Sequence, residues 1–365
     1  MSHADRIRSI DVLRGIAIIA IVFGHMGIIP INKVVFTFHV TAFFVLSGYF
    51  LNENEKYSVF VKKKIRRLLI PYGLTAAVMI VLGFLDTLLF ADWEGYQHLS
   101  MVLGDQNTDQ VMLRIKFFSE GALQWVYAAL YGAGDSYYEP FYIKSIGAIW
   151  FLLACFWGNI FLRKLLDYNK WIRIILLCVL FLFGYYTRSI CWFPLSIQAG
   201  CCATLFMYFG YLARQLKSVW SAVGAELKTV IRVMAALVWI SFIHDFQSFW
   251  LVHCDVGRGV IDIVGSLCAC YVVFLIAELI DRKAEHLSAV LEYMGKNSLL
   301  ILCIHNIEMF LYPWEQLKDY LAVVNCPYIA VIAIILIVKF IMILLGVYLC
   351  RKSNFLLKIF GLKAV

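Results

Sequence analysis

The chain has 365 residues, of which 62% are apolar or aromatic and only 15% are charged. Soluble domains carry about 25% charged and about 45–50% apolar residues, so the composition excludes a water-soluble domain and makes lipid the solvent. The formal net charge of +8 is compatible with an anionic partner such as nucleic acid, and the placement of the charges along the chain decides that question.

At the N-terminus, Arg6, Arg8 and Arg14 flank an apolar run that no small-residue cleavage site follows, so a retained first span is expected rather than a signal peptide. A membrane-spanning helix needs about 20 mostly apolar residues, and such runs are predicted at about 10–29, 34–51, 68–90, 145–162, 172–187, 192–213, 230–252, 259–279, 296–313 and 327–350. The first two are joined by only about Pro30 to Lys33, which predicts a tight hairpin. Between the third and fourth lies a long segment, about 91–144, rich in acidic and aromatic residues. Long structured loops are commonly functional. Aromatic faces stack on sugar CH groups and carboxylates accept from hydroxyls, so Trp125, Tyr137 and Tyr138 are candidate substrate contacts. An interfacial aromatic belt produces the same pattern.

The eleven cysteines are scattered, mostly inside apolar runs, and none forms a C-x-x-C pair. They read as small buried hydrophobes rather than disulfides or metal ligands, so no metal is expected. No repeat or low-complexity tract divides the chain, and a single transmembrane domain over 1–365 is predicted. With a cytoplasmic N-terminus, the inner loops collect Lys62, Lys63, Lys64, Arg66, Arg67, Arg163, Lys164, Arg214, Arg282, Lys283, Arg351 and Lys352, while the outer loops collect few cations. That is the positive-inside pattern. The fold class is therefore all-α, a polytopic integral membrane bundle of about ten transmembrane helices with both termini cytoplasmic. The positive charge encodes topology; the partner it implies is the bilayer, not nucleic acid.

Ionisable residues at membrane depth are costly and default to functional hypotheses. The first span carries Asp11, Arg14 and His25. Arg14 and His25 are eleven residues apart, which on a helix puts them on one face and about 16 Å apart along the axis. His39 lies shortly past the hairpin tip, His305 short of the outer end of the ninth span, and Trp150 just below the outer end of the fourth. Each has a plainer structural reading, as an interhelical hydrogen-bond partner for the histidines and an interfacial anchor for Trp150. Arg66 and Arg67 read most simply as inner-leaflet anchors. Lys339, deep in the last span, either snorkels, pairs or lines a cavity.

Together these residues resemble a known family. Arg14 and His25 form the R-x10-H pattern of the acyltransferase-3 family of membrane O-acyltransferases, within SIDVLRGIAIIAIVFGHM. FHVTAFFVLSGYF, KKKIRRLLIPY, AIWFLLACF and GKNSLLILCIHN are similar to its later motifs in family order, and the variant resembles the fucose-4-O-acetylase-like branch. The resemblance implies a bacterial-type inner-membrane enzyme that O-acylates cell-surface glycans, with Arg14 and His25 essential. Many relatives carry W-x-L-x-x-E in the fourth span, whereas WFLLAC here has no carboxylate. Many also carry an extracellular hydrolase-like domain, and this chain stops after Val365 without one.

The reaction these residues suggest is transfer from acetyl-CoA, or a longer acyl-CoA, to a hydroxyl of a sugar or glycan. Phosphates of the donor need cationic partners, which Arg14, Lys63, Lys64, Arg66 and Arg67 offer on the inner side. His25 then serves as general base, with His39 and His305 as further candidates and Trp150 as a substrate contact. An acyl-histidine route is equally open. The alternative class is a secondary transporter of a sugar, lipid-linked glycan or carboxylic acid, which buried histidines and a buried lysine also suit. No internal two-fold repeat supports it. Single-cysteine labelling tests the topology: positions beside Lys63, Lys164 and Lys283 are expected to label from the cytoplasm and positions beside Tyr96 and Tyr137 from outside. Reversed labelling overturns the orientation.

Overall fold

The structure, a computed structural model, describes residues 8–90 and 110–362. Among these, all regular elements are helices, accompanied by one isolated antiparallel bridge between Tyr137 and Ile143. In chain order they are α1 (Arg8–Gly24), α2 (Ile29–Val35), α3 (His39–Tyr49), α4 (Tyr57–Lys64), a π-helical turn (Ile65–Leu69), α5 (Ile70–Phe90), α6 (Gln110–Tyr131), α7 (Trp150–Leu165), α8 (Lys170–Thr187), α9 (Ile197–Gln215), α10 (Lys217–Ala222), α11 (Ala225–His244), α12 (Val260–Lys283), α13 (Glu285–Lys296), α14 (Ser298–Leu311), α15 (Trp314–Val323), α16 (Tyr328–Arg351) and α17 (Asn354–Phe360).

Seven of these helical stretches are long and apolar enough to cross a membrane, or eight if α13 and α14, bent by 73° at Asn297, form one span. The protein is thus a polytopic helical membrane protein. Residues 10–29 and 145–162 were also expected to span, but α1 has 17 residues and α7 has 16, both shorter than those seven. The outward faces of α8, α11 and α16 carry Ile175, Val179, Leu182, Val233, Leu237, Ile240, Ile337, Ile341 and Leu344, all exposed. Recurring every three or four residues, they form apolar stripes suited to acyl chains.

Three local features depart from the sequence reading. The hairpin tip lies at Met26–Ile28, where Gly27 takes φ +70, and not at Pro30–Lys33. Pro30 sits in the first turn of α2, where its missing N–H costs no hydrogen bond, so it starts a helix. The Ala91–Lys144 segment is not simply an outer loop: α6 occupies 110–131 and packs on α5. Gly83 and Gly121 make room in this contact for Trp125 and Thr87. Trp93 and Tyr96, with the acidic Asp92, Glu94, Asp105 and Asp109, lie outside the described residues. Third, the seventh span covers Ala225–His244 rather than 230–252, because the polar Asp245, Gln247 and Ser248 end it early.

Helices approach at glycines. A Cβ on Gly15 would strike the Leu291 carbonyl, and one on Gly295 the Asp11 carbonyl, so α1 and α13 cross backbone to backbone. Gly48 and Gly210 do the same for α3 and α9, against Met207 and Val45 carbonyls. In lipid, where no hydrophobic force draws helices together, such small-residue contacts and interhelical hydrogen bonds supply the association. The Ser266 hydroxyl donates to the Thr37 carbonyl at 2.6 Å, and the Trp239 indole donates to Thr37 Oγ1 at 2.8 Å.

The π-helical turn has a covalent cause. Pro71 has no N–H to offer the Arg67 carbonyl and its ring crowds that carbonyl, so the preceding turn widens and the Ile70 N–H bonds Ile65 O. Gly295→Ala is expected to destabilise the protein by about 1–3 kcal/mol or more through overpacking. Gly73→Ala, whose Cβ meets nothing within 4 Å, is the matched control expected to leave stability unchanged. Thermal unfolding in detergent compares them.

Candidate active site

One face of α1 organises the site. Arg14, Ile18 and Ile21 recur at spacings of four and three, and all three line a cavity of about 270 Å³. Its other walls are Phe43, Leu46 and Ser47 from α3, Lys64, Arg67 and Leu68 around the π turn, Phe151, Leu152 and Cys155 from α7, and Ser298, Leu299 and Leu302 from α14. Three cations, Arg14, Lys64 and Arg67, thus share the lining with mostly apolar side chains. Arg14 pairs with Asp11 at 3.2 Å and lies 5.5 Å from the Phe50 ring centroid. Arg67, in the widened turn, lines this cavity and the adjacent Arg66 does not, although both are exposed. Lys63 pairs with Glu55 at 3.2 Å, outside the cavity lining.

Four residues past Ile21 on the same face, His25 lines a second cavity, of about 350 Å³. Met26, Met309, Tyr312, Trp314, Glu315, Lys318, Ile335 and Lys339 are among its other walls. α14 runs beside α1 through the same division: Leu302 faces the first cavity, Met309 the second, and His305 lies between them in sequence. His305 is fully buried, and its Nε2 stands 3.4 Å from His25 Nδ1. The ring centroids are 5.2 Å apart, edge to face.

Hydrogen bonding fixes the tautomers. His25 Nδ1 lies 2.8 Å from the Ile21 carbonyl, which only accepts, so Nδ1 carries the proton and Nε2 holds the lone pair. His305 Nδ1 lies 2.8 Å from Glu308 Oε2, and Glu308 Oε1 accepts from the Lys339 ammonium at 2.7 Å. A carboxylate in that pair also only accepts, which protonates His305 Nδ1 and leaves Nε2 as an acceptor facing the His25 Nδ1–H. The result is a continuous chain, His25 to His305 to Glu308 to Lys339. Its outer member is exposed and its other three are buried. Lys339 also sits 3.9 Å from the Trp314 ring centroid, a cation–π contact.

The remaining sequence candidates fall elsewhere. His39 is buried at the start of α3, where its Nδ1 donates to the Val35 carbonyl at 2.6 Å, and it lines neither cavity. Trp150 opens α7, buried against Phe151 and Gly134. Trp125 is buried with Phe310 edge-on at 4.5 Å and Lys144 at 4.4 Å from its ring. Tyr137 stacks on Trp192 at 4.8 Å and bonds His253 at 3.0 Å, while Tyr138 is exposed near Tyr142. None of these four aromatics lines either cavity. Sequence reasoning missed Glu308, although a carboxylate three residues after His305 inside an apolar run is the signal that flags intramembrane charge. No group of three or more metal-ligating side chains occurs among the described residues.

The structure is a helical bundle of membrane-spanning type, with one cavity lined by three cations, a second cavity, and a buried histidine contacting the histidine that lines the second. A family model described as an acyltransferase domain matches residues 7–351, and the chain belongs to this acyltransferase-3 family of membrane acyltransferases. No curated protein and no solved structure matches the chain closely enough to count as a relative.

The placement of the histidines separates their roles. His39→Gln is expected to keep acyl transfer within a few-fold of the parent, whereas His25→Gln is expected to lose about 10²–10⁴ in rate, as a lost general base does. Initial rates in reconstituted vesicles decide; equal losses from both overturn the assignment.

Proposed function

We propose that the chain is an O-acyltransferase that carries an acyl group, acetyl being the simplest, from cytoplasmic acyl-CoA to a sugar or glycan hydroxyl at the outer half of a bacterial-type inner membrane. The observation that supports it is the division of one helix face between two cavities, with Arg14 lining the first and His25 the second. Arg14, Lys64 and Arg67 form a cationic mouth for the donor's phosphates, Arg by its bidentate fork and Lys as a point charge. The apolar walls beyond them, Ile18, Phe43 and Leu302, suit the pantetheine arm and acyl group. About 16 Å of helix separates Arg14 from His25, so an extended donor held at its phosphates presents its thioester near the histidine.

In the second cavity, Tyr312 and Trp314 lie 4.3 Å apart and offer aromatic faces, and Glu315 offers a carboxylate, both suited to a sugar. The acceptor hydroxyl loses its proton to His25 Nε2 as its oxygen attacks the thioester carbonyl. The carbon–sulfur bond then breaks, CoA leaves as thiolate, and the His25 imidazolium returns the proton to sulfur. The products are an O-ester and free CoA. Binding two substrates from opposite sides converts a bimolecular reaction into a step between held groups.

His25→Ala is expected to abolish transfer while CoA still raises the melting temperature, since CoA at a hundred times its Kd stabilises a folded protein by about 2.7 kcal/mol. Arg14→Ala is expected to raise the KM for acyl-CoA, and Arg14→Lys to recover part of the loss. Transport of an intact sugar or carboxylic acid without ester formation, and no thermal response to CoA, would place the chain among transporters instead.

A further inference from the structure

The fourth-span motif has no carboxylate, yet a buried one stands behind the histidine pair. Glu308 is 3% exposed on α14, and each of its oxygens is engaged: Oε2 by His305 Nδ1 and Oε1 by Lys339 Nζ of α16. Both partners are themselves buried, at 0% and 3% exposure. We infer that Glu308, held by Lys339, is the positioning residue of the active site, orienting the His25 ring through His305 and stabilising the imidazolium that forms there. This rests on His25 acting as base in the proposed transfer.

The argument is one of proton direction. The Lys339 ammonium can only donate, so Glu308 accepts from it and is left to accept again from His305 Nδ1. His305 Nε2 is then free of a proton and becomes an acceptor for the His25 Nδ1–H, which it shares with the Ile21 carbonyl at 2.8 Å. Reversing any one bond would put two donors or two acceptors face to face. The His25 Nδ1–H, already held by the Ile21 carbonyl, is thus backed by a chain of contacts that ends three residues away at Lys339. When that nitrogen takes the hydroxyl proton, the new positive charge lies one ring away from the Glu308 carboxylate, in a setting where charges are weakly screened. Lys339 has a second part: it lines the acceptor cavity, so an acceptor that contacts its ammonium also touches the relay.

A purely structural ion pair predicts something different. Removing one member leaves the other uncompensated and unfolds the protein, and neutralising both together restores it. The test compares Glu308→Gln, Glu308→Asp and the double variant Glu308→Gln/Lys339→Met in vesicles with acetyl-CoA and a hydroxyl acceptor. The double variant leaves no charge at this pair and is expected to fold, to keep the parent's KM for acetyl-CoA and its thermal response to CoA, and to lose roughly 10²-fold or more in kcat, as when an orienting carboxylate behind a catalytic histidine is neutralised. Glu308→Asp keeps both charges and is expected to recover part of that kcat with KM unchanged. Parent-like kcat in either the folded double variant or Glu308→Gln overturns the inference. Should the double variant fail to fold, Glu308→Asp decides: parent-like kcat in it then counts against the inference, and a kcat loss at constant KM supports it. His25→Ala, run beside them, separates the two claims. If it retains transfer, the base assignment fails; if it is inactive while the Glu308 variants are parent-like, only the relay fails.

Discussion

A charge inside a membrane must be answered by another charge or a hydrogen bond, and the pairing of Glu308 with Lys339 is where this protein meets that demand. A lone charged residue at the centre of a membrane helix costs about 2.5–3.5 kcal/mol even on insertion scales. Paired at 2.7 Å, buried from lipid and capped by the Trp314 ring, the two charges tie α14 to α16. A buried pair of this kind is weak evidence for stability, since an apolar replacement often does as well. Its retention is better explained by what it touches. Glu308 reaches His305, His305 reaches His25, and His25 alone of the four is exposed.

The helix crossings keep that chain in register. α1 meets α13 with carbonyls seated where Gly15 and Gly295 lack side chains, and α3 meets α9 likewise at Gly48 and Gly210. Such contacts fix the rotation of α1 as well as its distance, and its rotation decides which face looks into the cavities. Arg14, Ile18, Ile21 and His25 share that face by helical periodicity. Asn306, next to His305, binds the Ile146 carbonyl at 3.1 Å and the Ile149 N–H at 3.3 Å. The same turn of α14 that carries the relay thus anchors the loop entering α7. Phe151, Leu152 and Cys155, which line the first cavity, follow directly after that loop.

The two cavities differ in chemistry, as the proposed pair of substrates would require. The first joins cations to an apolar interior, as a molecule with a phosphorylated head and a slender tail requires. The second mixes aromatic, acidic and basic groups and contains the one histidine of the pair with surface access. A helix backbone, rather than a loop, spans most of the distance between them, which holds Arg14 and His25 in a rigid relation.

Much was already written in the sequence. Composition determined the class, because a chain with 62% apolar and aromatic residues cannot cover itself with polar surface in water. Periods of about 20 apolar residues located the helices, and the R-x10-H spacing placed Arg14 and His25 on one face, because helical geometry is local. What the sequence could not decide was which distant side chains meet. His25 and His305 are separated by 280 positions and Glu308 and Lys339 by 31, and no local rule relates their faces. Trp125 and Trp150 looked like surface aromatics because burial depends on neighbours from other helices, here Phe310, Gly83 and Gly134. Pro30 read as a turn and instead starts a helix, since proline suits either position and only the φ of Gly27 fixes where the chain reverses. Tertiary packing alone set the register of four helices around the Arg14–His25 face, and with it the choice of His305 over His39 as the partner of His25.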